Sequence, residues 1–301
     1  MPDRSTSPRI WIMGASDGIG AELARAYARR GARLVLSARS EEPLHKLADE
    51  IGGAEVVTAD VSDLESLQAA ADKIAEGGLL DSAITLAALY DPGKVMEIDP
   101  EFAAKIVTVN LTGTFHFARV AEPLLRDGGD LVLTGSVAGY IGLPQGQIYS
   151  ASKAGVINLV ESLRAELAPR VNVRMISPGF VDTRLTKKND FDMPAVIQPD
   201  DAAGRIVKGL DGKRFEVHFP RRLTLSLKLM QTLPYALSMR LTRKLVQWGE
   251  RWRRWCCCWR SPLPCRRPSP GASRGSRPRS SRSCSRAGRC SRWAGRSRSG
   301  A

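Results

Sequence analysis

The first 255 residues of this 301-residue chain contain no cysteine. That excludes a disulfide framework, a cysteine nucleophile and a thiolate metal site from the body of the protein. All six cysteines lie between Cys256 and Cys290, with no zinc-ligand spacing among them. Histidine is as scarce: His45, His116 and His218 are isolated, with no H-x-x-x-H or H-E pair. No metal site and no histidine base are therefore expected. No apolar run reaches the roughly 18 residues a membrane-spanning helix needs. Met1 to Arg9 is polar and lacks the apolar core of a secretory signal, so a cytoplasmic chain is the expectation. Ser136 lacks the G-x-S-x-G elbow of hydrolases.

Acidic residues are missing from 251–301, which hold fifteen of the 45 Lys and Arg. The remaining thirty bases in 1–250 face 31 acids, so the net charge of +14 belongs to the tail. A nucleic-acid-binding core is excluded on that count, and no nucleic-acid partner is expected. The tail is Arg, Ser, Pro, Gly, Cys and Trp without period, and is expected to be disordered. An RNA-binding tail would show salt-sensitive binding that vanishes when 251–301 is deleted. The preferred reading is a frameshift product. The abrupt Cys256-Cys257-Cys258 and the loss of every acid match GC-rich codons read out of frame. Resequencing around codons 245–256 is expected to expose a frame change. A confirmed frame, with no alternative giving an ordinary ending, sinks that reading.

The body alternates strand-length apolar runs with helical stripes. The runs are Ile10–Met13, Arg33–Ser37, Glu55–Ala59, Ser82–Leu86, Asp130–Thr134, Val171–Ile176 and Phe215–His218. The stripes fall in Ile19–Arg30, Phe102–Leu125 and Tyr149–Ala168. Such alternation implies βαβ units with right-handed crossovers and a parallel sheet. The spacing Ser62-Asp63-Leu64-Glu65 predicts a capping box, and Pro199 suits a first helical position. After Pro220, residues 221–250 form a leucine-rich, cation-studded extension. It reads as helices capping the domain or a dimer face, or as a cationic amphipathic segment over 221–247 lying on a membrane surface.

The first strand runs into Gly14-Ala15-Ser16-Asp17-Gly18-Ile19-Gly20 and then a helix. Glycines allow a tight turn and close approach of backbone to a pyrophosphate, whose charge the helix N-terminus attracts. The second strand ends at Ala38-Arg39, where an NAD site usually places an acid. A guanidinium there favours a 2′-phosphate, so NADP is expected ahead of NAD. Asp60 and Val61 are placed to touch an adenine. Tyr149 and Lys153, four apart, share one helix face. A phenol near pKa 10 is a poor base, and a nearby ammonium is expected to lower that value. Ser136 can bond a substrate carbonyl, and Asn110 can hold a water linking Lys153 to solvent. A Tyr–Lys pair at this spacing is common by chance; its company in this order is not.

On these residues the chain resembles the NAD(P)-dependent short-chain dehydrogenase/reductase family over about residues 8–220. The matches are Gly14, Gly18, Gly20, Asp60-Val61, Asn110, Ser136, Tyr149, Lys153 and Pro178-Gly179-Phe180-Val181-Asp182-Thr183. The resemblance implies an α/β fold. Its core is a Rossmann-type doubly wound parallel sheet of about seven strands in a single domain with a C-terminal helical extension. It implies the tetrad Asn110, Ser136, Tyr149 and Lys153. It implies nucleotide contacts from Gly14, Ser16, Gly18, Ile19, Gly20, Arg39, Asp60, Val61, Ala87, Tyr149, Lys153, Pro178, Gly179, Val181 and Thr183. A homodimer or homotetramer acting on a small carbonyl or alcohol follows. The apolar run Val137–Leu143 after Ser136 points to an apolar substrate. Two departures stand out. Met13 replaces the usual Thr, and Thr85-Leu86-Ala87-Ala88 replaces an Asn-Asn-Ala-Gly segment that normally braces the central strands. The altered Thr85–Ala88 segment and the leucine-rich stretch 221–247 favour the alternative of a catalytically idle nucleotide-binding scaffold or membrane-associated regulator; the intact tetrad argues against it.

Overall fold

A computed structural model describes residues 7–244 apart from 190–192, 194 and 213. The expectations for the 251–301 tail, and for 245–250 of the extension, fall outside the described residues. Seven strands form one parallel sheet in the order β3-β2-β1-β4-β5-β6-β7. They are β1 (Arg9–Met13), β2 (Arg33–Ser37), β3 (Glu55–Val56), β4 (Leu80–Thr85), β5 (Leu125–Thr134), β6 (Val171–Pro178) and β7 (Glu216–Phe219). The connecting helices are α1 (Gly18–Ala28), α2 (Glu41–Glu50), α3 (Leu64–Ala75), α4 (Pro100–Val107), α5 (Gly113–Ala121), α6 (Gln147–Leu167) and α7 (Pro199–Asp211). The helix α8 (Arg221–Gln231) follows β7, and residues 235–244 are again helical.

Both sheet faces are covered, as the near-continuous apolar strands require. One core layer sets Ile10, Ile12, Leu34 and Leu36 against α1, α2 and α7 residues such as Leu23, Leu44 and Ile206. The other sets Trp11, Val35, Leu131 and Val173 against Leu67, Ile74, Phe117 and Val160. The strand order reverses between β1 and β4. In such sheets a crevice opens there, at the carboxyl ends of the strands.

Several boundaries differ from the sequence reading. The single helix expected over Phe102–Leu125 is three pieces: α4, a π-helical segment Thr108–Thr112, and α5. Asp63, not Ser62, caps α3, its carboxylate accepting from the backbone of Glu65 and Ser66. The β5 strand starts at Leu125, ahead of Asp130, because a register shift between Leu80 and Ser82 absorbs its polar, glycine-bearing start. Pro199 does open α7.

Candidate active site

Among the described residues three cations are buried: Arg9, Lys153 and Arg174. Two face carboxylates, Arg9 with Glu55 at 2.7 Å and Arg174 with Asp130 at 3.1 Å. Lys153 has no carboxylate partner among the described residues; its Nζ donates to the Thr134 carbonyl at 2.8 Å. Burial pushes the ammonium down to about 8. A buried charge without a counter-charge is costly and marks a functional position.

Helix α6 carries that lysine one turn beyond Tyr149, with Nζ 5.8 Å from the centre of the phenol ring. The Tyr149 phenol lies beside the hydroxyl of Ser136, which stands just beyond the end of β5. Burial raises the Tyr149 phenol, and the Ser136 hydroxyl offsets part of that rise. The net direction is upward, opposite to the depression expected from the neighbouring ammonium, because burial is the largest cause. Ser136 Oγ also accepts from the Ala138 N–H at 3.2 Å, which orients the hydroxyl.

Two cavities meet at this pair. A cleft of about 310 Å³ runs along the strand ends. It is lined by Gly14, Ser16, Gly18, Ile19, Gly20, Arg39, Ala87, Tyr149, Lys153, Pro178, Gly179, Val181 and Thr183, all anticipated. Asp17 and Leu86 line it too, and so do Ser40, Arg184 and Thr186, which were not singled out. A smaller pocket of about 90 Å³ is walled by Val137, Leu143, Pro144 and Phe180 with Tyr90 and Asn189 at its edge. Ser136, Tyr149, Gly179, Leu185 and Thr186 line both.

The residues present fit a dinucleotide. Gly14 has φ +90°, and a Cβ there would lie 2.6 Å from Ala87 N; at Gly20 a Cβ would collide with the Gly14 carbonyl. The backbone can thus come close to a ligand at the start of α1, where free N–H groups attract an anion. Arg39 is exposed at the far end and makes no ion pair among the described residues.

Three anticipated residues sit elsewhere. Val61 lines neither cavity; it is buried beneath α5, where a Cβ on Gly113 would meet its carbonyl at 2.7 Å. Asp60 is also off the cleft wall. Burial works against its carboxylate, but Ser62 Oγ and N together with Arg39 and Lys105 hold it below the ordinary value. Asn110 was expected to hold a water. Its Oδ1 instead accepts from Leu89 N at 2.7 Å, and its Nδ2 donates to Leu89 O at 2.9 Å and Ser152 Oγ at 3.1 Å. It splices the loop after β4 to α6, and the π-helical turn aims it there.

The missing bracing amide after β4 has a substitute. Thr134 Oγ1 donates to the Thr85 carbonyl at 2.6 Å, tying β4 to β5 at the same level. Tyr90 was not anticipated. Its ring meets Tyr149 edge-on at 4.8 Å between centres, and its hydroxyl donates to Asn189 at 2.6 Å. Its segment has no period to mark it.

Comparison with known proteins agrees with this geometry. The profile of the short chain dehydrogenase family matches residues 8–193. An uncharacterized oxidoreductase of Myxococcus xanthus is 34% identical over 242 residues, 78% of this chain and 96% of that protein. A short chain dehydrogenase from Burkholderia cenocepacia, solved with NADP, has a TM-score of 0.70 at 30% identity, covering 78% of this chain and 97% of the other. A short chain dehydrogenase/reductase from Burkholderia phymatum, solved with NAD, has a TM-score of 0.67 at 25% identity, covering 74% and 93%.

Proposed function

Because this chain belongs to the short-chain dehydrogenase/reductase family and is an NAD(P)-dependent oxidoreductase, we propose that it interconverts an apolar ketone or aldehyde and its alcohol, with NADP as the preferred nucleotide. The supporting observation is that Ser136 and Tyr149 form a wall common to the long cleft and the apolar pocket. A carbonyl in the pocket therefore lies against both hydroxyls and against whatever fills the cleft.

The nucleotide, when bound, supplies or takes up the hydride. Gly14, Gly18 and Gly20 would hold its pyrophosphate at the α1 N-terminus, and Pro178, Gly179, Val181 and Thr183 its nicotinamide end. Ser136 donates to the carbonyl oxygen and fixes its direction. Tyr149 gives its phenolic proton to that oxygen in reduction and removes it in oxidation. Lys153 sets a positive charge beneath the ring, which favours the phenolate as the proton leaves. Asn110 positions α6 by holding Leu89 and Ser152. The pocket walls, Val137, Leu143, Pro144, Phe180 and Leu185, favour an apolar substrate. The same reading takes the enzyme as a homodimer or homotetramer in the cytoplasm.

The test is nucleotide consumption over acyl, steroid and sugar carbonyls side by side. Turnover of apolar carbonyls ahead of sugars is expected. Tight nucleotide binding with no turnover of any of them would instead favour an idle scaffold. Arg39 tests the nucleotide preference. Arg39→Ala is expected to raise KM for NADPH by roughly 10- to 100-fold, the scale of one charge-assisted bond, and leave KM for NADH nearly unchanged. Equal effects on both would remove the argument for NADP.

A further inference from the structure

The C-terminal helices leave large apolar side chains facing water. Along α8 and residues 235–244, the buried positions include three hydroxyls, Thr224, Ser238 and Thr242. Each is satisfied locally. Thr224 Oγ1 bonds His218 Nδ1 at 2.6 Å, Ser238 Oγ donates to Tyr235 O at 3.3 Å, and Thr242 Oγ1 donates to Ser238 O at 2.9 Å. Among the outward positions are large apolar side chains: Leu225 is 56% exposed, Leu229 65%, Tyr235 84%, Leu237 46% and Met239 43%. A helix on a soluble protein normally keeps such side chains on its buried face.

Charge narrows the occupant. Residues 221–244 contain no Asp or Glu. Arg221, Arg222, Arg240, Arg243 and Lys244 are exposed, and none pairs with a carboxylate among the described residues. The sixth cation, Lys228, is turned in and bound to Glu216, which also accepts from Tyr140. Exposed leucines interspersed along the chain with unopposed cations complement a surface that offers both apolar depth and negative charge. A second copy of this face would bring five unopposed cations against five more, which repel. A bilayer carrying anionic lipid offers both the acyl region and the counter-charge.

We propose that residues 221–244 dock this protein peripherally on an anionic lipid bilayer. The inner side of the same helices leads toward the apolar pocket. Leu223, Leu227 and Met230 pack with Val137, Tyr140, Ile141 and Leu143, and Val137 and Leu143 are pocket walls. Docking therefore sets the pocket beside the phase in which an apolar carbonyl dissolves.

The experiment is co-sedimentation of the full chain with phosphatidylcholine vesicles, with and without phosphatidylglycerol, at low and high salt. The fifteen arginines of 251–301 also attract anionic vesicles, so the variants leave them in place. Leu225→Ser/Leu229→Ser/Leu237→Ser/Met239→Ser removes the apolar contact. Arg221→Gln/Arg222→Gln/Arg240→Gln/Arg243→Gln/Lys244→Gln removes the charge. None of these residues lines either cavity, so nucleotide binding reports that each variant is folded. The wild type is expected to bind phosphatidylglycerol vesicles and to keep part of that binding at high salt. Each variant is expected to lose more than about tenfold in vesicle affinity. Three results would overturn the proposal: no vesicle binding by the wild type, serine-variant binding equal to wild type, or a concentration-dependent dimer that the serine variant abolishes without vesicle binding.

Discussion

Tyr149→Phe is expected to bind the nucleotide as the wild type does and to lose turnover by about 10²-fold or more, the scale on which general acids act. The substitution removes one oxygen, so the ring keeps its edge-on contact with Tyr90 at 4.8 Å and the fold is preserved. The hydroxyl is the group that acts with Ser136 at the wall of the pocket. Its loss strands a developing alkoxide in an apolar enclosure with only Ser136 to donate. Single-turnover kinetics with saturating nucleotide would isolate the step. Undiminished turnover would refute the assignment of Tyr149. The direction of its shift carries a second consequence. Burial keeps the phenol protonated through neutral pH, so carbonyl reduction is expected to be level there and alcohol oxidation to rise with pH.

What made this site legible was the coincidence of short-range spacings with residue types that chemistry requires. Gly14, Gly18 and Gly20 mark a turn whose φ values and close approaches other residues would not tolerate, and that constraint is written at single positions. Tyr149 and Lys153 share a helix face by arithmetic alone. Other features depend on tertiary context. The break between α4 and α5 was invisible because Phe102, Ile106, Val109, Gly113, Phe117 and Val120 keep helical spacing straight through the π-helical turn. That turn redirects Asn110 toward Leu89 and Ser152. The close seating of Val61 beneath α5 depends on Gly113 lacking a side chain, far off in the sequence. Tyr90 has no local pattern at all; its importance comes from Asn189, about a hundred residues away in sequence. The bridging of β4 to β5 by Thr134 could not be read from the altered Thr85–Ala88 segment, since the replacement donor lies on a different strand.

Lys153→Met is expected to change activity and stability in opposite directions. The ammonium is buried without a carboxylate and held by one carbonyl, Thr134 O. Its value falls from the ordinary 10.5 to about 8 because burial penalises the charged form. The folded state therefore binds that proton less well than the unfolded chain does. The cost to stability is fully present below about pH 8 and is relieved as pH rises toward 10.5. Each unit corresponds to about 1.4 kcal/mol, which puts the cost at neutral pH at up to about 3 kcal/mol. Methionine fills nearly the same volume without charge, and leaves the Thr134 carbonyl short of a donor at roughly 1 kcal/mol. The nucleotide-free variant should gain about 1–2 kcal/mol at pH 7, or roughly 2–8 °C in Tm for a domain this size. The gain should shrink as pH approaches 10. Turnover should fall by roughly 10²- to 10⁴-fold, because no charge remains to favour the phenolate as Tyr149 releases its proton. Thermal unfolding at two pH values, beside steady-state rates, reads both effects. A less stable variant at pH 7 would mean that Lys153 is a structural cation like Arg9 and Arg174, and would take away the argument that its isolation from carboxylates marks the reacting centre.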